Sequence, residues 1–452
     1  MAYAIRKTYI SKTRSPEMYG YLDSYARKSK LLQNAVLFRI RNWFTAHGKG
    51  AVTVNEQSVI DEVEAAVRAG MGRPKAVLSY FAMDRVMRVN HNPDFFAGLP
   101  MQSAQECLKQ KCREFRSWLN ALRTYRADPS RFLGKPRMPG YIRSDTAILK
   151  FTNQDCVLHG DTVKFPHTRE TVSFGHLPEG YILKEVQSVP SHGQYLLIAV
   201  FETPDTAAAS DMPYYAAIDF GVNNFASIAP DTDIPCLICK GGALKAENQW
   251  FNKRMAELKA VLMKGHDPNT YHPKTTRQMD MLSLKRERFF HDYFHKLSKY
   301  IISWCRENRI GTLVYGHTKL WKQNASLGKR NTLNFVQLPF MSFVGMLRYQ
   351  CEREGIRLME QEESYTSKAS AVDGDPVPVY GLGHGETYHF SGTRVKRGLY
   401  RTGSGRMVNA DLNGAANILR KAFPDAYADT DVYAILKNVQ TIRFGTLYKV
   451  SG

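Results

Sequence analysis

Long apolar runs are missing from this sequence. No stretch of about 18 uninterrupted apolar residues occurs along it, so no membrane-spanning helix is expected. The opening residues, "MAYAIRKTYISKTRS", have no apolar core of the kind a signal peptide carries. Cysteine is scarce and scattered, at Cys107, Cys112, Cys156, Cys236, Cys239, Cys305 and Cys351. An odd, dispersed set does not make a disulfide framework, and a reducing cytoplasm is the expected setting. Acid is short relative to base: 42 Asp plus Glu against 62 Lys plus Arg, a net charge of +20. The basic residues are interleaved with Tyr, Phe and Trp that can stack on bases. That combination points to nucleic acid as the partner. Sequence repeats and low-complexity tracts are also lacking.

What is present is an apolar fraction of 43%, enough for a sizeable core. At 452 residues the chain exceeds one ordinary domain, and a norm of ~150 residues each predicts two to four. Residues 3–10, "YAIRKTYI", read as a strand by their β-branched and aromatic content. From about 16 to 125 the pattern turns helical, with Tyr21, Tyr25, Leu32, Ala35, Val36 and Ile40 at helical spacing. "GKPRMPGY", 134–141, breaks the helices. Short β-like runs follow, among them "TAILKF" and "QYLLIAVFE". They predict a small barrel or sheet, with the helical block inserted after its first strand. A small-residue linker, "TPDTAAASDMP", spans 203–213.

The third region begins with "YYAAIDFGVNNFASIA". A strand through Ala216, Ala217 and Ile218 delivers Asp219, Gly221 permits the turn, and "FASIA" returns as a second strand. Long basic helices, a strand "GTLVYG" at 311–316, another helix and the strand "IRLMEQE" follow. "MVNADLNGAANILRKAF" then starts a helix with Asp411 near its head. The alternation is that of an α/β domain. Carboxylates at Asp219 and Asp411, brought to one sheet edge, could hold two Mg²⁺ ions for phosphodiester cleavage.

Together "IDFGVNN" and "NADLNGAANI" resemble the first and third motifs of the RuvC-like nuclease domain in the TnpB family. These are transposon-encoded RNA-guided DNA nucleases related to type V CRISPR effectors. "GKPRMPGY", "NQWFNKR" and "YTSKAS" are similar to that family too, and the likeness runs over essentially the whole chain. The resemblance implies a multidomain α+β protein. A wedge β-barrel would occupy 1–14 and 126–208, a helical recognition lobe 15–125, and an RNase H-like RuvC domain 212–452. It implies a guide RNA, transposon-end-derived or CRISPR-like, and a double-stranded DNA target beside a short flanking motif. It also implies activity at the nucleoid of a bacterial cytoplasm.

Two departures stand out. The family usually carries a catalytic Glu on the strand that here reads "LVYGHTKLWKQN", where Gly316 takes its place. The next strand ends in Glu360, Glu362 and Glu363, and a branch of the family has moved its second acid to such a neighbouring position. Glu363 or Glu362 is the expected ligand; strand alternation sends the two apart, so one of them serves, with Glu363 favoured. A solvated acidic strand end is the alternative. Secondly, the family's zinc-ribbon insert corresponds to 369–408, which has no Cys. His384 and His389 alone make a poor zinc site, so no zinc is expected. The pair Cys236 and Cys239 reads as two small apolar residues.

Asn223, Asn413 and Asn417 are expected to orient carboxylates or water, ordinary capping or core hydrogen bonding being the alternative. Thr366, Ser367 and Lys368 are expected to bind a phosphate near the cut. Lys322, Gln323, Lys329 and Arg330 read as a basic loop for backbone contact, a solvated loop being the alternative. Arg394, Lys396 and Arg397 supply cations at the nuclease mouth, and Lys28, Lys30, Arg39 and Arg41 track phosphates along the first long helix. The reading is thus an RNA-guided, Mg²⁺-dependent endodeoxyribonuclease. Its rivals are a nuclease-inactive RNA-guided DNA-binding repressor, which the loss of acid at Gly316 favours, and an RNA-free RNase H-like transposase.

Overall fold

The computed structural model describes residues 2–203, 211–267, 270–271, 275–317, 337–379 and 388–449. The chain falls into two units, Met1–Asp205 and Thr206–Gly452.

In the first unit, strand β1 (Ala2–Ile10) leads into four helices, α1 (Pro16–Ala46), α2 (Val54–Arg68), α3 (Tyr80–Val89) and α4 (Met101–Ala127). Their starts are written locally. Pro16 opens α1, where its missing N–H costs nothing. Thr53 and Glu56 form a reciprocal capping box on α2, and the Ser79 hydroxyl caps α3. Six strands follow: β2 (Leu149–Thr152), β3 (Val157–His159), β4 (Thr162–Lys164), β5 (Thr171–Ser173), β6 (Ile182–Ser191) and β7 (Gln194–Thr203). β1, β7, β6 and β2 form one antiparallel sheet in that order, and β3, β4 and β5 form another.

The expected barrel is not closed among the described residues. β1 bonds only β7 and β2 bonds only β6, whereas closure needs the two edges to bond each other. Alternating short strands suit an open sheet and a barrel equally. The helical block is not a separate body within this unit either. Leu22, Leu32 and Val36 of α1 share one continuous core with Phe151, Val186 and Phe201 of the sheet. Tyr21 and Tyr25 pack against Phe151, and the Tyr21 hydroxyl donates to the Pro166 carbonyl at 2.9 Å.

The second unit starts with β8 (Tyr214–Phe220), β9 (Asn224–Pro230), β10 (Cys236–Lys240), α5 (Gly242–Met263), α6 (Arg277–Glu307), β11 (Ile310–His317), α7 (Phe340–Arg353) and β12 (Arg357–Glu362). It continues with β13 (Thr393–Lys396), β14 (Leu399–Arg401), β15 (Met407–Asn409), α8 (Ala410–Ala422), α9 (Val432–Lys437), β16 (Val439–Ile442) and α10 (Phe444–Lys449). Six strands form one mixed sheet in the order β12, β11, β8, β9, β10, β16. β12, β11 and β8 run parallel, and β9 is antiparallel to both its neighbours. Alternation divides β8 between two cores. Ala216, Ile218 and Phe220 join the aromatic layer under α6 and α7, with Phe294, Phe340 and Phe343. Ala217 faces α8, with Ala415, Ala416 and Ile418. Asp219, two residues on from Ala217, therefore also faces α8. Among the described residues no helix is long and apolar enough to cross a membrane.

Candidate active site

Two glycines make room for two carboxylates. A side chain at Gly414 on α8 would begin 2.9 Å from Asp219 Oδ2, so the helix approaches β8 closely only because nothing is there. A side chain at Gly316 on β11 would begin 2.6 Å from Glu363 Oε2 and 3.3 Å from Glu363 Cβ. The carboxylate of Glu363 thus lies over the position where the family's strand acid is missing. Asp411 enters from the head of α8, where the Asn409 side chain caps its N–H at 2.9 Å.

The three acids that end β12 go to three places. Glu360 accepts from the Tyr315 hydroxyl at 2.6 Å and meets His317 Nδ1 at 3.0 Å. Glu362 pairs with Lys421 Nζ at 2.6 Å and accepts from the Ser364 backbone and hydroxyl. Lys421 has only 5% of its side chain exposed and also donates to the Ser364 and Pro378 carbonyls, so Glu362 neutralises a buried cation. Glu363 alone bears on Asp219.

The electrostatics report the crowding. Burial pushes the Asp219 carboxyl well above the usual carboxylate range; Glu363 and then Asp411 push it further, and Arg394 opposes them. Burial pulls Glu362 up as well, but Lys421 and Ser364 outweigh it and hold it below its ordinary value. Among the described residues no three His, Cys, Asp or Glu side chains close round a point as a metal cage would. Asp219, Glu363 and Asp411 converge without closing. As hard oxygen donors in an open arrangement they suit Mg²⁺, which keeps several waters.

The amide expected at Asn223 is instead Asn224. Its Nδ2 donates to Asp411 Oδ2 at 2.7 Å, and its Oδ1 accepts from Lys240 Nζ at 2.8 Å. Arg394 Nη2 reaches the other oxygen, Asp411 Oδ1, at 3.3 Å. Asn413 and Asn417 bind backbone rather than carboxylates. Asn413 donates to the Ala369 carbonyl and accepts from Ala371 N–H; Asn417 donates to the Thr366 and Ala369 carbonyls. They pin the "TSKASA" segment to α8. Thr366 is buried and turns its hydroxyl inward to the Glu363 carbonyl at 2.8 Å, whereas Ser367 and Lys368 are exposed.

The Cys-free insert is tied by carboxylates. Asp373 accepts from Ser370, Ser391, Gly403 N–H and Ser404 N–H, and Asp375 from the N–H groups of Ser370 and Ser391. No spacing rule points to this clasp. His389 is exposed, and His384 lies outside the described residues. Cys236 and Cys239 are buried in β10, and burial pushes both thiols up to about 12.

The cations divide similarly. Arg39 is buried and held by Glu62 at 2.6 and 2.7 Å, which leaves it no fork for a phosphate. Arg41 donates to the Pro139 carbonyl at 3.1 Å and lies over Tyr141, bracing the 134–141 breaker. Lys28 sits over the Tyr25 ring, and Lys30 is half-buried. Lys396 and Arg397 are exposed beside Arg394. Lys322, Gln323, Lys329 and Arg330 lie outside the described residues.

Comparison with known proteins divides at the same places. Residues 199–322, which hold Asp219, match the OrfB_IS605 family described as a probable transposase. Residues 340–418, which hold Glu363 and Asp411, match the Cas12f1-like TNB domain. The TnpB-like protein ORF457 of Acidianus two-tailed virus is 25% identical over 209 residues, 46% of this chain and 41% of that protein. Over residues 199–322 and 340–418 the chain is thus similar to TnpB-type transposon proteins and Cas12f1-like effectors. Solved structures similar to this chain include the Cas12f1–sgRNA–target DNA complex, at 13% identity and TM-score 0.44 over 89% of this chain and 82% of that one. CasPhi-2 (Cas12j) bound to crRNA and phosphorothioate-DNA is similar at 9% identity and TM-score 0.41, over 95% and 92%. The match to the viral relative spans less than half of its length.

Proposed function

We propose that this chain is an RNA-guided DNA endonuclease whose nuclease centre is Asp219, Glu363 and Asp411. The observation that carries the reading is the carboxylate of Glu363 lying over Gly316, facing Asp219. An acid lost from one strand is supplied by its parallel neighbour, so the gap at Gly316 does not make a dead site. The strand order of the second unit, with one antiparallel member, is the arrangement an RNase H-like RuvC domain would have.

Mg²⁺, when bound, supplies an activated water and stabilises the departing oxygen. The rest falls to the chain. Asp219 and Asp411 present carboxylate oxygens from a rigid strand end and a capped helix head. Gly414 and Gly316 let the acids approach backbone. Arg394 offsets negative charge, and the exposed Ser367, Lys368, Lys396 and Arg397 stand nearby in sequence to contact phosphates. Guide pairing would read the target, next to a short flanking motif. The guide would be transposon-end-derived or CRISPR-like. The 369–408 insert would stand on its carboxylate clasp without zinc.

The test is guided plasmid cleavage. Asp219→Ala and Asp411→Ala should each lose cutting to below ~1% of wild type, since a lost metal ligand costs several kcal/mol of transition-state stabilisation. Guide and target binding should stay nearly intact. Residual cutting above that level in either variant refutes the centre.

A further inference from the structure

The last residue of "IDFGVNN", Asn224, is a polar residue set directly against the site. It stands at the start of β9, a strand buried along its whole length, and is itself only 7% exposed. A buried amide must be satisfied at both ends or it costs stability. Asn224 is satisfied in one orientation only. Lys240 can only donate, and it meets Oδ1 at 2.8 Å. The Asp411 carboxylate can only accept, and it meets Nδ2 at 2.7 Å. Reversing the amide would set two donors and two acceptors face to face.

The backbone around this pair is built to bring it together. The β9–β10 ladder slips between Cys239 and Lys240, so that Lys240 lies opposite Asn224 instead of one step away. A side chain at Gly221 would begin 2.8 Å from the Asn224 carbonyl, and one at Gly241 would begin 2.4 Å from the Val222 carbonyl. Gly241 N–H donates to the Asn223 carbonyl at 2.8 Å, locking the turn from the far side. The Tyr293 hydroxyl donates to the Lys240 carbonyl at 3.0 Å, holding the lysine backbone in place. The register slip and the close approaches at Gly221 and Gly241 together bring this lysine and this amide face to face.

We infer that Asn224, oriented by Lys240, is a positioning residue for Asp411. It occupies Oδ2 from inside the fold and leaves Oδ1 as the oxygen that meets a divalent cation. Among the described residues Oδ1 carries only the half-exposed Arg394 at 3.3 Å, a contact that an arriving ion can displace. Lys240 acts through the amide: without it Asn224 is free to rotate and Asp411 loses its fixed rotamer. This rests on the proposed metal centre, and the experiment separates the two.

Mn²⁺ binding to the full chain is measured by titration calorimetry for wild type, Asp411→Asn, Asn224→Ala, Lys240→Met and the Asn224→Ala/Lys240→Met double variant. Asn224→Ala should weaken Mn²⁺ about tenfold, the low end for partners that orient a metal ligand. Lys240→Met should weaken it less, and the double variant should equal Asn224→Ala. In cleavage, Asn224→Ala should raise the Mg²⁺ concentration for half-maximal rate and keep most of the plateau, a split that loss of folded protein would not give. Wild-type affinity in Asn224→Ala, with affinity lost in Asp411→Asn, overturns this inference alone. So does a further loss on adding Lys240→Met to Asn224→Ala. Equal Mn²⁺ binding by wild type and Asp411→Asn overturns the metal centre and this inference together. Should Asn224→Ala not fold, Lys240→Met decides: unchanged Mn²⁺ affinity there overturns the proposal.

Discussion

Gly316→Ala is the smallest change that should disable this protein. The added methyl would stand 2.6 Å from Glu363 Oε2 and equally close to Ile418 Cδ1. Ordinary contact is about 3.5 Å, so each neighbour must retreat by roughly 1 Å. Glu363 is the end of a flexible side chain and yields, but it yields away from Asp219. A catalytic group displaced by that much costs about 10²-fold in rate, ~2.7 kcal/mol of barrier. Overpacking should cost ~1–3 kcal/mol of stability as well. The assay is guided plasmid cleavage beside target binding by gel shift, with unfolding followed by circular dichroism. Cutting should fall about 10²-fold with binding unchanged. In a Glu363→Ala background the same alanine should cost visibly less stability, because one of its two collisions is gone. Gly316→Glu combined with Glu363→Gly, which returns the acid to β11, should recover part of the cutting lost in Glu363→Gly alone. Cutting by Gly316→Ala within threefold of wild type, or an alanine cost indifferent to Glu363, would refute the reasoning.

Glu363→Gln should fold normally and not cut, while Glu362→Gln should cut at low temperature yet unfold earlier by ~1–3 kcal/mol, since it leaves Lys421 buried without its counter-charge; the reverse pattern in melting and cleavage would show the ligands misassigned. Burial raises Asp231 to about 6, and its partner is the Tyr215 N–H. A carboxyl raised in the folded state is most favourable below its unfolded value, ~3.9, and loses its contribution as pH rises through about 6. Asp231→Asn, which keeps the acceptor, should therefore be more stable than wild type at pH 8 by ~1 kcal/mol after solvent screening, a gap that closes by about pH 4 in urea melts. Burial pulls Asp373 up, but Ser370, Gly403 and Ser404 hold it below its ordinary value. Its contribution is thus present above ~3.9 and lost as pH falls through the lower folded value, so Asp373→Asn should let proteases nick 391–404 at neutral pH, whereas the wild type should be nicked there only in acid.

Much of the site was legible because its acids end or begin regular elements. Asp219 follows an apolar strand and Asp411 follows a capping Asn at a helix head, and both signals are local. The choice between Glu362 and Glu363 was half legible: alternation separates them, but Lys421, which claims Glu362, sits 59 residues away on α8. Asn223 and Asn224 are indistinguishable as letters, and a bulge in β9 at Phe225 and two close-packed glycines select the second. Arg39 reads as a free cation until Glu62 is folded against it. Closure of the first unit's strands depends on which edges bond, and hydrophobic alternation carries no information about that.

The asparagines on α8 have a mechanical consequence. Asn413 and Asn417 bolt the segment after Glu363 to the helix that carries Asp411, and Thr366 clips the Glu363 carbonyl to the same segment. Glu363 is therefore tied on one side to the sheet through β12 and on the other to the helix that carries Asp411, while Asp219 ends β8 of that same sheet. Sheet and helix thus hold the segment between them from both ends, and Gly414 is where that helix comes nearest to Asp219. A side chain at Gly414 should therefore act as a wedge between α8 and the Asp219 carboxylate.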